Sequence, residues 1–470
     1  MKICQYAKKC GGCQYQRIEY SKQLEMKQAK MNELFKPHSV LPIIGQENPY
    51  NYRHKVFATF SMSKTKKVTC GIYEENSHRV VPIEDCLIQN EKANAILKTI
   101  CEIANKLRIQ PFNEDRGIGI LRHAYLRVGY HTNQILLVFV LGQQVFPGSK
   151  EFMKILREKH PEITTICTQV NARKTSVVLG EQEKVLYGKG TIEDVLCGIK
   201  FQISSKSFYQ VNPEQTEKLY AKAIELANVS KNDIVLDAYC GIGTISLIVA
   251  KYAKEVVGVE VNKVAIRDAI NNAKINQIKN SKFYAEDVSL FMRDYVQDMK
   301  DVDIAIIDPP RAGSDERFLN LLASLKAKKI VYVSCNPETQ KRDIKVLEKK
   351  GYKISIIQPV DMFPFTEHVE TVVLLSKLKS TSSIEIKIDL DEMDLTTAES
   401  KATYDEIKQY VQDKFSFKVS QLYIAQVKRK HGIIERDNYN IGDGKAKVPL
   451  VPENKEKAIE DALRHFQMIG

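Results

Sequence analysis

The sequence predicts an α/β protein built from several domains. Three observations lead there. From about Asn212 onward, short β-rich runs alternate with helical stretches, the pattern of βαβ units around a parallel sheet. A strand, a glycine turn and a helix start follow one another between Val235 and Thr244. The chain has 470 residues, beyond the roughly 100–200 of an ordinary domain, so this sheet is only one part of it.

Composition excludes several classes. Apolar residues at 43% and charged residues at 27% are near the globular average, which argues against wholesale disorder. No apolar run approaches the ~18 residues that span a bilayer. The opening Met1-Lys2-Ile3-Cys4-Gln5 lacks the apolar core of a secretory signal, so a cytoplasmic protein without a membrane partner is expected. Net charge is +12. Residues 1–70 hold 13 basic and 4 acidic side chains, whereas 381–470 hold 14 and 16. Positive charge concentrated at the front suits a polyanion, because each neutralised phosphate releases counterions. A soluble, solvated surface is the plainer reading.

The elements follow in order. Residues 1–90 hold a Cys/Gly/Lys-rich loop, a helical pattern to about Phe35 and the start of a central domain. Residues 55–205 form a mixed α+β region. Its expected strands are Lys55–Met62, Val68–Glu74, His123–Tyr130, Gln134–Leu141, Ser176–Leu179 and Ile199–Ile203, with helices near 90–107 and 149–159. Residues 206–378 carry the βαβ rhythm, with strands at Ile234–Ala238, Val256–Val261, Phe283–Ala285, Asp303–Ile307 and Ile330–Ser334. Tyr352–Val360 and Val369–Ser376 are separated by a loop without a helix, which predicts a closing hairpin that adds an antiparallel edge. Ser380–Ser383 is a linker pattern. An α-rich extension, 384–470, follows, with helical patterns over 400–414, 419–430 and 454–467. The basic turn Lys428–His431 fits a nucleic-acid contact or, more plainly, a complement to the helix dipole.

Chemistry concentrates at strand ends. Val235 to Gly243 is a glycine turn where backbone can approach a ligand at Gly241. Glu260, at the end of the next strand, is placed to bind ribose hydroxyls. Ser246 stands where a dinucleotide fingerprint has its third glycine, and Asp237 fits the turn of S-adenosylmethionine-dependent methyltransferases. In such proteins a residue placed like Asp287 contacts adenine. The alternative for Glu260 and Asp287 is an ordinary exposed acid.

Ile306 to Gly313 sets Asp308 at a strand's carboxyl end, where ligands bind in open α/β sheets; the alternative is a helix-capping Asp. Val331 to Pro337 sets Cys335 at the corresponding point one strand over. A lone Cys is usually a small buried hydrophobe. As a thiolate it can instead attack an inert substrate carbon framework. Addition to carbon 6 of a uracil makes carbon 5 nucleophilic enough to take a methyl group. The carbon 5 proton must then leave to a general base. Glu370, His368 and Glu367 are the candidates, and the residues alone do not separate them.

Together these motifs resemble the RNA uracil-5-methyltransferase family, in its iron–sulfur branch that acts on 23S ribosomal RNA. They are Asp237 to Thr244, Asp308-Pro309-Pro310-Arg311, Ser334-Cys335-Asn336-Pro337, His368-Val369-Glu370 and, ahead of the sheet, Ser207 to Asn212. The resemblance covers residues 1–378 and assigns no role to the extension. It implies a Rossmann-like S-adenosylmethionine methyltransferase sheet behind a central RNA-binding region. It also implies Gln210, Tyr239, Glu260 and Asp308 as cofactor contacts, Cys335 as nucleophile and Glu370 as base. A tRNA uridine, or a noncatalytic iron–sulfur RNA-binding protein, is the alternative.

Of ten cysteines, Cys4, Cys10 and Cys13 cluster around Gly11-Gly12. Short spacings with one distant Cys suit an iron–sulfur cluster, and four thiolates suit zinc equally. Cys86 is the distant candidate, and its place matches the family, whose ligands form a 4Fe-4S site.

Overall fold

In the computed structural model the described residues are 2–74, 77, 79–173, 178–180, 182–297, 301–378, 402, 404–431, 451–466 and 468–469. They form two compact units, residues 1–379 and 380–470.

The first unit opens with α1 (Ala7–Cys10) and α2 (Tyr20–Leu34). A mixed region follows, with β1 (Lys55–Met62), β2 (Val68–Tyr73), β3 (Val80–Pro82), α3 (Glu91–Lys106), β4 (Leu121–Val128), β5 (Ile135–Leu141), α4 (Ser149–Lys159), β6 (Ile163–Val170) and β7 (Glu183–Tyr187). Its strands form one sheet in the order β3-β2-β1-β4-β5-β6-β7. All pairs are antiparallel except β5 with β6, which α4 connects as a crossover. Helices α3 and α4 cover one face, packing Ile96, Ile100, Phe152 and Leu156 against Phe139. The hairpin β8 (Thr191–Leu196) and β9 (Ile199–Ser204) joins this region to the next. Half of the expected strand Ser176–Leu179 lies outside the described residues, and Val178 and Leu179 are not in a strand. Strand β6, whose sequence ITTICTQV is rich in β-branched residues, goes beyond the expected set.

The second sheet is built from α5 (Pro213–Ala227), β10 (Ile234–Ala238), α6 (Thr244–Ala250), β11 (Glu255–Glu260), α7 (Lys263–Ile275), β12 (Ser281–Ala285), α8 (Val288–Gln297), β13 (Ile304–Ile307), α9 (Glu316–Ser324), β14 (Lys329–Ser334), α10 (Pro337–Lys349), β15 (Tyr352–Val360) and β16 (Glu370–Lys377). The order is β12-β11-β10-β13-β14-β16-β15. The first five strands are parallel, and the order reverses between β10 and β13, the switch point at which open α/β sheets bind ligands. Local sequence starts the helices. Asn212-Pro213 and Asn336-Pro337 each supply an N-cap amide and then a proline with its φ preset for the first turn.

The closing hairpin adds the expected antiparallel edge, with its two strands in reversed order. Its second strand, β16, does not form the edge: it inserts between β14 and β15, antiparallel to both. Burial explains the choice. Residues 370–375 of β16 are all buried, whereas the first half of β15 alternates with exposed residues and suits an edge.

The second unit holds α11 (Tyr404–Phe415), α12 (Gln421–Lys430) and α13 (Glu453–His465). They bury Ile407, Val411, Ile424, Val427, Ile459 and Leu463 in a core of their own. Three side chains of the basic turn are engaged within this unit. The Lys428 Nζ lies 4.3 Å from the Tyr404 ring centroid, Lys430 pairs with Glu456, and His431 Nε2 meets Glu460 Oε1 at 2.8 Å. Among the described residues no helix is long and apolar enough to cross a membrane.

Because each unit has its own core, a chain truncated after Leu378 is expected to stay folded. Its melting transition should fall within about 2 °C of the corresponding transition in the full chain, by calorimetry. Loss of a cooperative transition would show that the second unit is needed for the first to fold.

Candidate active site and cysteine cavity

The register of the parallel strands lines up the expected ligand-binding residues. Ala238 is paired with Val259 on one side and Ile307 on the other. The next residues, Tyr239, Glu260 and Asp308, therefore leave three adjacent strands at one level. The turn after β10 is tight: Tyr239, Gly241 and Gly243 all have positive φ, at 67°, 56° and 81°. A side chain at Gly241 would meet nothing within 4 Å, so the backbone there faces open space, as a cradle for a ligand would. Beneath it, Asp237 is buried. One of its oxygens accepts from the Ser246 hydroxyl, while Oδ1 has no partner among the described residues.

Glu260 accepts from the Asn262 backbone N–H at 2.8 Å. Asp287 is exposed, and its Oδ1 accepts from the N–H groups of Ser289 and Leu290, so part of its role is to cap α8. Asp308 does not cap a helix; Asp315 does that for α9. Gln210 reaches the same edge through a hydrogen bond with Tyr220, whose hydroxyl also feels Asp308 and Asp237.

Three carboxyls here titrate far above their usual range. Burial pushes Asp237 up to about 7, and the nearby Asp308 and Glu260 add to it. Burial pushes Asp308 up to about 7 as well. Glu370, 3% exposed, is pushed up to about 8 by burial and then by Asp308, against the pull of Arg311. Crowded acids of this kind mark a functional cleft.

Antiparallel pairing of β14 with β16 joins Ser334 to Thr371. The ladder ends at that pair; Cys335 is the residue after Ser334 and Glu370 the residue before Thr371, near enough for the charge of Glu370 to act on the thiol. The Cys335 thiol is raised by burial, Glu370 and Asp308, and lowered by a hydrogen bond from Arg311. Arg311 is in turn held by its own backbone. Its carbonyl accepts from Asn336 Nδ2 at 3.1 Å and from the Thr339 hydroxyl at 3.2 Å, so the turn after β13 is tied to the start of α10. A cleft of about 230 Å³ opens beside the thiol, with Lys30, Arg311, Glu367 and His368 in its walls. Glu367 is exposed, and His368 is shifted toward neutrality by burial and Arg311.

Arg311 and Lys30 carried no assigned role in the sequence. Arg311 could have been found by its position right after Asp308-Pro309-Pro310. Lys30 gave no signal, because its helix lies about 300 residues from the thiol it approaches.

The four expected ligand cysteines also come together. Cys4, Cys10, Cys13 and Cys86 all line one cavity of about 260 Å³, and all are free thiols. Gly12 lets the loop close, because a Cβ there would sit 3.3 Å from the Cys10 sulfur. Burial, offset in part by a hydrogen bond from Gln16 and reinforced by Cys86, Cys10 and Cys4, pushes the Cys13 thiol up to about 11. Among the described residues, no three His, Cys, Asp or Glu side chains converge tightly enough to grip a single metal ion. Cys70 stands apart in β2, its sulfur 3.9 Å from the Leu97 carbonyl oxygen.

Known proteins share this architecture. Residues 19–378 match the family described as tRNA (uracil-5-)-methyltransferase. An uncharacterized RNA methyltransferase of Oceanobacillus iheyensis is 44% identical over 374 residues, covering 78% of this chain and 81% of the relative. One from Staphylococcus aureus is 41% identical over 382 residues, covering 79% and 83%. Among solved structures, the tRNA (uracil-54, C5)-methyltransferase of Pyrococcus abyssi in complex with S-adenosyl-L-homocysteine superimposes with a TM-score of 0.66 at 29% identity, covering 78% of this chain and 86% of that one. The sheet with its ligand edge at the switch point, and a match across most of the chain, lead to one conclusion: the chain belongs to the RNA (uracil-5-)-methyltransferase family, whose members are S-adenosylmethionine-dependent RNA-modifying enzymes.

Proposed function

We propose that the chain methylates carbon 5 of a uridine in 23S ribosomal RNA through a covalent bond between Cys335 and carbon 6 of the base. The observation that carries this reading is the meeting of Cys335 and Glu370 beside the last β14–β16 pair, Ser334 with Thr371, with Arg311 hydrogen-bonded to the thiol. A nucleophile, a base and a cation then share one cleft.

S-adenosylmethionine supplies the methyl group when bound. Its sulfonium and ammonium charges suit an edge where Asp237, Asp308 and Glu260 crowd together, and its adenosine suits the open turn at Gly241. Gln210, Tyr239, Glu260, Asp308 and Asp287 are its proposed contacts. Cys335 attacks carbon 6 as a thiolate, which Arg311 favours over the thiol by its hydrogen bond and charge. Carbon 5, now nucleophilic, takes the methyl group. Glu370 then accepts the carbon 5 proton, and the electron pair left behind expels the Cys335 sulfur. A carboxyl raised to about 8 is a stronger base than an ordinary one once ionised. Glu367 is exposed and His368 lines the cleft, whereas Glu370 is the buried carboxyl whose charge acts on the Cys335 thiol.

Cys4, Cys10, Cys13 and Cys86 would hold a 4Fe-4S cluster. A cluster of four irons is wider than one ion, so its thiolates stand around a cavity rather than meeting at a point. The four thiols lining one cavity are what supports it, with a single zinc as the rival. Bound there, the cluster would serve a structural role, tying the loop 4–13 to Cys86. A tRNA uridine is the second reading, favoured by the likeness to the Pyrococcus tRNA enzyme. Incubating unmodified ribosomal RNA and tRNA with radiolabelled cofactor separates the two, and label on neither would favour a noncatalytic RNA-binding role.

RNA carrying 5-fluorouridine at the target should trap a stable adduct, since fluorine cannot leave as a cation. Cys335→Ala should form none, and an adduct surviving that change would remove the assignment. Glu370→Gln should still transfer the methyl group to carbon 5 but resolve the adduct about 10²–10⁴-fold more slowly, so a gel-shifted species accumulates with natural uridine. If His368→Ala accumulates it instead, His368 is the base. In the wild type, Glu370 is protonated below about pH 8 and cannot accept a proton. Single-turnover adduct resolution should therefore rise with pH through that value, and a flat profile would count against Glu370. Anaerobically purified protein should be brown, with iron and sulfide in equal amounts. Replacing Cys4, Cys10, Cys13 or Cys86 should remove the colour, and Cys70→Ala should keep it; one zinc and no iron would favour the rival site.

A further inference from the structure

Helix α2 buries charge where a helix usually buries apolar groups. Its inward residues are Gln23, Lys27 and Met31. The side chains of Lys27 and Asp361 are 1% and 0% exposed, and Lys27 Nζ lies 2.6 Å from Asp361 Oδ1. The other Asp361 oxygen accepts from the Tyr20 hydroxyl at 2.8 Å, and that hydroxyl accepts from the Gln46 backbone N–H.

These groups grip one segment, residues 361–369, which runs from β15 to β16. Lys27 Nζ also donates to the Phe363 carbonyl at 3.1 Å. Gln23 Oε1 accepts from the Phe365 N–H at 2.8 Å, and the Tyr15 N–H donates to the Phe365 carbonyl at 2.9 Å. The Tyr52 hydroxyl donates to the Pro364 carbonyl at 3.1 Å. Phe365 has φ 67°, a conformation a side chain rarely takes, so the segment adopts a path that its neighbours must impose. One turn further along α2, Lys30 and Met31 line the Cys335 cleft, as do Glu367, His368 and Val369. The helix that holds the segment thus also lines the cleft with it.

A buried ion pair is a poor device for stability alone, because apolar residues of similar volume often serve as well or better. What it adds is a defined place for its partners. We propose that Lys27 and Asp361 are positioning residues for the reaction: by clamping 361–365 they set the cleft wall that holds a uridine against Cys335. This rests on the covalent uracil reading above.

The test is the rate of adduct formation with 5-fluorouridine RNA, followed alongside S-adenosylhomocysteine affinity and melting temperature. The variants are Lys27→Met and the charge-neutral double variant Lys27→Met/Asp361→Leu. The cofactor edge lies on other strands, so the double variant should bind S-adenosylhomocysteine as the wild type does. Its melting temperature should recover relative to Lys27→Met. Its adduct rate should stay about 10²-fold below wild type, as for a misplaced reacting group, because the Phe363 carbonyl has lost its donor. A rate that recovers with the melting temperature would overturn the proposal and leave a purely structural pair. So would a rate that falls only in step with S-adenosylhomocysteine affinity, or one unchanged in Lys27→Met. If wild-type protein forms no adduct, the covalent reading fails first and takes this proposal with it.

Discussion

The site depends on one strand running against its neighbours. In a purely parallel sheet, every strand presents the same end at the ligand edge, and loops must supply the rest. Here β16 inserts antiparallel between β14 and β15, so the end of one strand and the start of the next meet at the same edge. Cys335 follows β14 and Glu370 begins β16, so the paired Ser334 and Thr371 carry the thiol and the carboxyl near enough for one to act on the other. The insertion is driven by burial, since residues 370–375 of β16 are all buried whereas the first half of β15 alternates with exposed residues. Core packing therefore sets the distance between two polar groups that the core itself does not need.

That edge is electrostatically costly. Asp237, Asp308 and Glu370 are carboxyls in surroundings that favour their neutral forms, and Asp308 bears on both of the others. Burial is the first cause in each case, and mutual repulsion adds to it in Asp237 and Glu370. Such groups weaken a fold unless a ligand compensates them. The parallel register then gives the acids their order: Tyr239, Glu260 and Asp308 at one level, with Glu370 beyond them beside the thiol. Arg311 opposes the acids at the thiol, and its backbone is fastened to α10 through Asn336 and Thr339.

The N-terminal segment is part of this machinery rather than an appendage. Leu41 and Ile44 donate backbone hydrogen bonds to Ile357 and Pro359, so the chain after α2 runs along the outer edge of β15. An unpaired edge is thereby covered. Phe365 packs with Tyr52 and Ile88, against which Cys13 and Cys86 also pack. The segment 361–369 is consequently shared: its early residues touch the surroundings of the cysteine cavity, and its late residues wall the Cys335 cleft.

Local chemistry was legible in the sequence. Strand-helix alternation, the Asn-Pro helix starts at 212–213 and 336–337, and reactive residues at strand ends are all short-range features, written within a few positions of one another. So were the Gly241 turn and the cysteine spacing around Gly11-Gly12. What the sequence left open were the pairings between distant segments. Three residues competed as the base, and only the assembled sheet brings Glu370 near enough for its charge to act on the Cys335 thiol. Asp287 read as a ligand contact, but its backbone surroundings also make it a helix cap. Lys27 and Asp361 are 334 residues apart, and neither carries a motif. An isolated Lys on a helix reads as solvated, because burying a charge becomes favourable only when its partner is already in place. Local propensity determines which elements form and where their reactive ends fall. Which ends meet is decided by the competition among strands for the buried positions of the sheet, and that is settled only when the whole core assembles.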